Sequence, residues 1–212
     1  MANRPVFCSI NKKPFYEEKN IEFKFFPGFS LSQKQKTIDS LHEQYLLYNP
    51  NAKILEISSK GSNIIGNKLS AFNLQIAYNE SFISVECAFQ GGKVFENGGP
   101  YVDLLYKSSV EAKKDIRLKN SGKLTKFIFN NIEYPLEPKD LFYNWIYFNA
   151  LYSDSELSKS VLKYDSFSDI EFNPQKSINC QAKSVAIFVG LVRGNLADSA
   201  IKSFDDFKKI VY

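Results

Sequence analysis

The chain has 212 residues, a net charge of +4, and hydrophobic and charged fractions of 44% and 24%. These are the proportions of a globular protein long enough to bury a real core, so a disordered or fibrous chain is excluded. No apolar run approaches the ~20 residues of a membrane helix.

The opening "MANRPVFCSINKKPF" carries no apolar leader segment. Cys8, Cys87 and Cys180 are scattered, odd in number and never spaced C-x-x-C, which points to a reducing, cytoplasmic setting without structural zinc or disulfides. His42 is the only histidine, so a metal site built from several histidines is ruled out. In "TIDSLHEQYLL" it reads as a surface or packing residue of an amphipathic helix. "GGK" at Gly91–Lys93 lacks the first glycine and the following Ser/Thr of a P-loop, and no G-x-G-x-x-G follows a strand.

In chain order, "PVFCSI" and "IEFKFF" read as short strands, and "PGFS" as a turn. "LSQKQKTIDSLHEQYLL" repeats apolar residues at helical spacing, with Ser30 or Ser32 as N-cap. "KILEISSK" and "LSAFNLQIAY" read as strands around the loop "GSNIIGN". Ser108-x-x-Glu111 is a capping box for a basic helix through about Asn120, with Gly122 just past its end. "LTKFIFNNIEYPLE" reads as a hairpin turning at Asn130-Asn131. Pro138 then opens a helix over "KDLFYNWIYFNALY", and Ser153-x-x-Glu156 caps the next one. "YDSFSDIEFNP" reads as extended, "SINCQAKSVAIFVGLVRG" as a buried helix with a glycine stop, and "SAIKSFDDFKKIVY" as a closing helix. The pattern predicts one α+β domain over residues 1–212, with small β-sheet elements, a helix-rich second half, and a C-terminal helix from about 197 to 212 as an appendage.

The stretch "SVECAFQGGKVFENGGPY" holds the candidate site. As a helix over Ser84–Glu96 it places Glu86, Gln90, Lys93 and Asn97 on one stripe. Glu86 and Lys93 then lie roughly 10 Å apart along the axis, able to converge on a molecule across the helix, with Gln90 between them. The plain alternative is a first-turn acid complementing the helix dipole and a solvated lysine. Gly91-Gly92 costs about 1 kcal/mol per residue in a helix, a burden unless backbone approaches closely there. "SDIEF" adds a second acidic feature. On a strand, Asp169 and Glu171 share one face, either for glycosidic-bond chemistry or as charges on an exposed edge. The basic run "EAKKDIRLKNSGK" reads as a solvated face, or as a phosphate contact through Lys113, Lys114, Arg117 and Lys119.

"LSAFN" (69–73) followed by "SVECAFQGGKVF" (84–95) resembles the signature of the NADAR family, with Ser84, Glu86, Gln90 and Lys93 at its motif positions. Many members carry a histidine after the glutamate, where this chain has Cys87. "FPGFSLSQKQKTIDSLH", "AKKDIRLKNSG", "FYNWIYFNAL" and "DIEFNPQKSINCQA" resemble the branch of antitoxins paired with guanine-modifying DNA ADP-ribosyltransferase toxins.

The resemblance implies a metal-free hydrolase of a compact NADAR-like fold. It would act on ADP-ribosylated DNA, cleave the N-glycosidic bond to the exocyclic amine of guanine, and release ADP-ribose. A cognate toxin would be its partner, with no cofactor and no membrane. Glu86 would be the general acid/base, and Lys93 a nucleophile at the anomeric carbon or a phosphate ligand. A nucleophilic lysine needs a depressed pKa, from burial or a neighbouring cation. Around the pair, Ser70, Phe72, Asn73, Gln90, Gly91, Gly92, Gly99, Tyr101, Trp145, Asp169 and Glu171 are candidate substrate-binding residues. The aromatics would stack on bases and the glycines would offer backbone N–H groups to the pyrophosphate. Two other readings stay open: an N-glycosidase acting on phosphorylated aminopyrimidines of riboflavin synthesis, and a non-catalytic module binding ADP-ribose or a toxin.

Overall fold

The computed structural model describes residues 1–212. The chain is α+β with several small sheets and falls into two compact units, Met1–Ser70 with Asp154–Tyr212, and Ala71–Ser153. The first unit opens with β1 (Ala2–Ser9), β2 (Tyr16–Phe23), α1 (Leu31–Tyr48), β3 (Ile54–Glu56) and α2 (Ile64–Leu69). The second holds β4 (Gln75–Tyr78), β5 (Ser81–Ser84), α3 (Val85–Gly91), β6 (Lys93–Phe95), a 3-10 turn (Val102–Tyr106), α4 (Ser109–Lys114), α5 (Arg117–Asn120), β7 (Leu124–Phe129), β8 (Ile132–Tyr134) and α6 (Leu141–Ser153). The chain then completes the first unit with α7 (Ser155–Val161), β9 (Ser166–Ser168), α8 (Gln181–Arg193), α9 (Ala197–Ala200) and α10 (Phe204–Val211). No helix is long and apolar enough to cross a membrane.

In the first unit a four-stranded sheet runs β2-β1-β9-β3. β1 pairs antiparallel with β2 and β9, and β9 pairs parallel with β3. Val6, Ile21 and Phe23 pack with Ile38, Leu41 and Tyr45 of α1 in a continuous core. Strand alternation sends Phe7 to the opposite face from Val6, and α8 packs on β1, β2 and β9. The helix α8 is apolar nearly all round and accordingly buried, ending before Gly194 as its sequence predicts. Ser30, rather than Ser32, caps α1 by accepting from the Gln33 N–H.

In the second unit β4 and β5 form a hairpin, while β6, β7 and β8 form a separate antiparallel sheet. The β7–β8 hairpin turns at Asn130-Asn131 as expected, both with positive φ (52° and 60°), the geometry that asparagine tolerates in a two-residue loop. The core is aromatic. Phe127 stacks on Phe142 at 4.5 Å between ring centroids, and Phe89 meets Phe127 at 5.5 Å and Tyr143 at 5.2 Å edge-on.

Several local expectations are corrected. "GSNIIGN" supplies α2, capped by Asn63, and "LSAFNLQIAY" is strand only from Gln75. The basic helix breaks at Asp115, whose side chain turns to the Arg117 N–H and guanidinium, so it becomes α4 and α5. Pro138 sits in the turn before α6, its carbonyl accepting from Leu141. Asp154, one residue beyond Ser153, caps α7 through the Leu157 N–H. The segment after Tyr164 is strand only over Ser166–Ser168.

Candidate functional site: a buried acid–amide–amine line

β5 runs directly into α3. Ser84 ends the strand in extended conformation and caps the helix, its Oγ accepting from the Cys87 N–H at 3.1 Å. α3 stops at Gly91, and Lys93 already belongs to β6. The single helical stripe expected over Ser84–Glu96 is therefore replaced by a helix-to-strand corner, and Asn97 is not on it. The corner still brings the three polar side chains together. Gln90 donates Nε2 to Glu86 Oε1 at 2.9 Å and accepts from Lys93 Nζ at 2.7 Å on its Oε1. The two partners fix the orientation of the amide, because a carboxylate only accepts and an ammonium only donates. Glu86 and Gln90 are buried, at 5% and 7% exposure, which makes the line expensive unless satisfied.

Lys93 lies over the Phe89 ring at 4.5 Å from its centroid, and Phe127 faces it across the sheet. Burial pushes its pKa down to about 8; the charge of Glu86 opposes this and that of Lys113 adds to it. Lys113 Nζ stands 3.9 Å from Glu86 Oε1 and 5.0 Å from the Phe72 ring centroid. The helix α4 is held there by Ser109, whose hydroxyl lies 2.9 Å from the Phe72 carbonyl oxygen and 2.8 Å from Ser84 Oγ. Lys113 is one helical turn further along. The arrangement joins a buried carboxylate, through one amide, to an amine that is partly neutral near pH 7. That combination suits attack on an electron-poor carbon with proton return to a leaving group.

The glycines serve packing. A Cβ on Gly91 would meet Leu105 Cδ2 at 2.6 Å, and one on Gly92 would meet the Ile128 carbonyl oxygen at 3.0 Å. The Gly92 N–H already donates to the Ala88 carbonyl at 3.1 Å, so it does not await a pyrophosphate. Gly99 has φ +90° and passes so close to the Lys93 carbonyl that a side chain would strike it; it positions the strand behind Lys93. Tyr101 is half-buried, covered on one face by the Arg117 guanidinium at 4.5 Å, and its hydroxyl pairs with Ser121. Arg117 is held by Asp103 and Asp115, its side chain 38% exposed. Phe72 is half-buried beside Glu86's neighbour Lys113, and Asn73 is exposed in the adjoining turn. Trp145, half-buried on α6, hydrogen-bonds the Tyr134 phenol. Ser70 belongs to the first unit, where it is buried and ends α2.

Asp169 and Glu171 also lie in the first unit, and they do not share a strand face. β9 ends at Ser168, and the chain turns, with the Glu171 N–H donating to Asp169 Oδ1 at 3.0 Å. Glu171 is exposed and pairs with Lys34 at 2.9 Å. Asp169 is buried, and burial together with the nearby Glu56 pushes its pKa up to about 8. Glu56 is the carboxylate the sequence reading missed. It accepts from the Ile170 N–H at 2.8 Å and from the Ser168 hydroxyl, and its own pKa is raised by burial. His42 Nε2 lies 2.8 Å from Ser168 Oγ, and burial lowers its pKa to about 4, so it is a neutral packing residue of this network. The signal for Glu56 was present in "ILEI": a lone acid inside an apolar strand must find partners when its side chain is buried, as that of Glu56 is.

No three His, Cys, Asp or Glu side chains converge as a metal site. No curated protein matches the chain. The family described as DarT1-associated NADAR antitoxin matches residues 2–212, nearly the whole sequence. With its motif residues Glu86, Gln90 and Lys93 converging at one corner and a family match spanning the chain, this protein belongs to the DarT1-associated NADAR antitoxin family.

Proposed function

We propose that this protein is a hydrolase that removes ADP-ribose from guanine bases of DNA and thereby counters a DNA ADP-ribosyltransferase toxin. The observation that carries the reading is the Glu86–Gln90–Lys93 line with a lysine amine whose pKa lies at about 8. Such an amine is present in neutral form at useful levels near pH 7, which an ordinary lysine is not. As the ribose ring opens, its C–O electron pair goes to the ring oxygen, which takes a proton from Glu86, and the anomeric carbon is left doubly bonded to the guanine nitrogen as a protonated imine. The neutral Lys93 nitrogen adds to that carbon, the C=N pair moves onto the guanine nitrogen, and Lys93 returns a proton to Glu86. The bond from that carbon to the guanine amine breaks, and the leaving amine takes the electron pair and the proton from Glu86. The resulting imine on Lys93 is hydrolysed by water, which releases ADP-ribose and restores the free amine. Gln90 holds the two groups in register throughout.

The test is a DNA oligonucleotide carrying ADP-ribose on one guanine, incubated with sub-stoichiometric protein and followed by mass. Many adducts removed per molecule, with loss of turnover in folded Glu86→Gln and Lys93→Ala variants, supports the reading. A borohydride-trapped adduct on Lys93 identifies the covalent route. Binding of ADP-ribose or modified DNA without release would assign a sequestering module instead.

A further inference from the structure

Lys113 is held in a way that an ordinary surface lysine is not. Its side chain is 58% exposed, yet its ammonium stands 3.9 Å from a carboxylate whose side chain is only 7% exposed. It also lies across the Phe72 ring. The distance to Glu86 is beyond a hydrogen bond, so the attachment is loose while the Coulomb attraction is real. Two other cations of this segment are committed elsewhere. Lys107 pairs with Asp103 and Asp115, and Arg117 is clamped by the same two acids. Lys113 alone of these faces the acid–amide–amine line, from a helix pinned through Ser109 to the cap of α3.

We propose that Lys113 is a phosphate-binding residue that exchanges Glu86 for a phosphate of the substrate. In the free protein it rests against Glu86 and covers the Phe72 face. When a phosphate enters, the flexible ammonium moves to it, forming a charge-assisted contact, and both Glu86 and the Phe72 ring become available to the sugar and base. The phosphate is either the diphosphate of ADP-ribose or a backbone phosphate of the nucleic acid. This proposal rests on the hydrolase reading of the same site.

A second consequence follows from the charges around Lys93. Those that reach it are Glu86 from α3 and Lys113 from α4; on β6 and β7 its neighbours Val94 and Phe127 are uncharged, and Gln90 is neutral. Removing the Lys113 charge therefore makes protonation of Lys93 easier, and the rising limb of a pH–rate profile moves to higher pH.

The experiment compares wild type, Lys113→Ala and Lys113→Arg in equilibrium binding of ADP-ribose and of an ADP-ribosylated oligonucleotide. It also measures turnover of that oligonucleotide and of ADP-ribosylated guanosine, which has no backbone phosphate. Lys113→Ala should weaken binding and raise KM about ten- to a hundredfold, the range of one charge-assisted hydrogen bond, with the pH limb displaced upward and Lys113→Arg restoring most of both. An equal defect on both substrates assigns the diphosphate. A defect confined to the oligonucleotide, with a salt slope reduced by about 0.7, assigns the backbone. Unchanged binding and KM, or a fall in kcat alone with an unmoved pH limb, would overturn the proposal. Failure of the hydrolase reading appears separately, as wild type that binds without turnover, and the ADP-ribose affinities then still decide the role of Lys113.

Discussion

The titration of Lys93 is the property on which the site's chemistry turns, and it can be measured without any substrate. With a pKa of about 8, roughly one molecule in eleven carries a neutral Lys93 amine at pH 7. An exposed lysine near 10.5 would be neutral in only about one in three thousand, so the pocket enriches the reactive form about 300-fold. The cause is burial against Phe89 and the turn of α3, reinforced by Lys113 and opposed by Glu86. The sign for Glu86→Gln follows directly: removing the anion that favours the ammonium should move the Lys93 midpoint lower still. The assay is competitive acylation of lysines across pH 6–11, read by peptide mass mapping, with exposed Lys114 and Lys119 as internal references. Lys93 should gain reactivity tenfold per unit up to about pH 8 and then level off, well before the references. A Lys93 midpoint coincident with theirs, or raised by Glu86→Gln, would refute the reasoning and reduce the residue to a hydrogen-bond donor.

Three further outcomes are expected. Gly99→Ala forces a side chain onto the Lys93 carbonyl at φ +90°, and should cost about 2 kcal/mol or more by denaturant unfolding; an unchanged midpoint would show that the loop yields freely. Gln90→Glu sets a second carboxylate against Glu86 and beside Lys93, so the Lys93 acylation midpoint should rise; a lower midpoint would mean that Gln90 does not bridge the pair. Asp169, with a folded pKa raised to about 8, contributes full stability below its unfolded value near 4 and loses it as pH rises towards 8. The stability of wild type relative to Asp169→Asn should therefore fall between pH 4 and 8, by at most about 1.4 kcal/mol per unit, and a flat difference would place an ionised Asp169 in the fold.

The sequence was most legible where a local rule decides the structure alone. Ser108 and Glu111 form their capping box, and Asn130-Asn131 turns the hairpin, because each depends on residues a few positions apart. It was least legible where a distant partner intervenes. Asp115 breaks the basic helix because Arg117 can reach both it and Asp103. One face of Tyr101 is covered by that same arginine. Asp169 and Glu171 alternate as strand residues would, yet the strand stops one residue earlier, where Glu56 accepts from the Ile170 N–H and turns the chain. The candidate site lies between these extremes. Glu86, Gln90 and Lys93 were identified by spacing and motif, although the spacing assumed a helix that ends two residues before Lys93.

That early end of α3 is what brings the three polar side chains together and buries the lysine. On a continuous helix Glu86 and Lys93 would point along one exposed stripe, and a solvated lysine keeps its ordinary pKa. Stopping at Gly91-Gly92 folds the chain back so that β6 lies against β7 and Lys93 meets Phe89 and Phe127. The glycines let the corner pack closely: a side chain at Gly91 would displace Leu105, and one at Gly92 would press on the Ile128 carbonyl. The same corner brings Gln90 within 2.7 Å of the lysine and 2.9 Å of the acid, so one amide carries both contacts. A residue pair too far apart to form a simple helical ion pair is thus linked through a side chain, and neither charge neutralises the other directly. A direct ion pair would favour the ammonium form of the lysine strongly; with the amide between them the Glu86 charge opposes burial without overcoming it, and the Lys93 pKa stays lowered, at about 8.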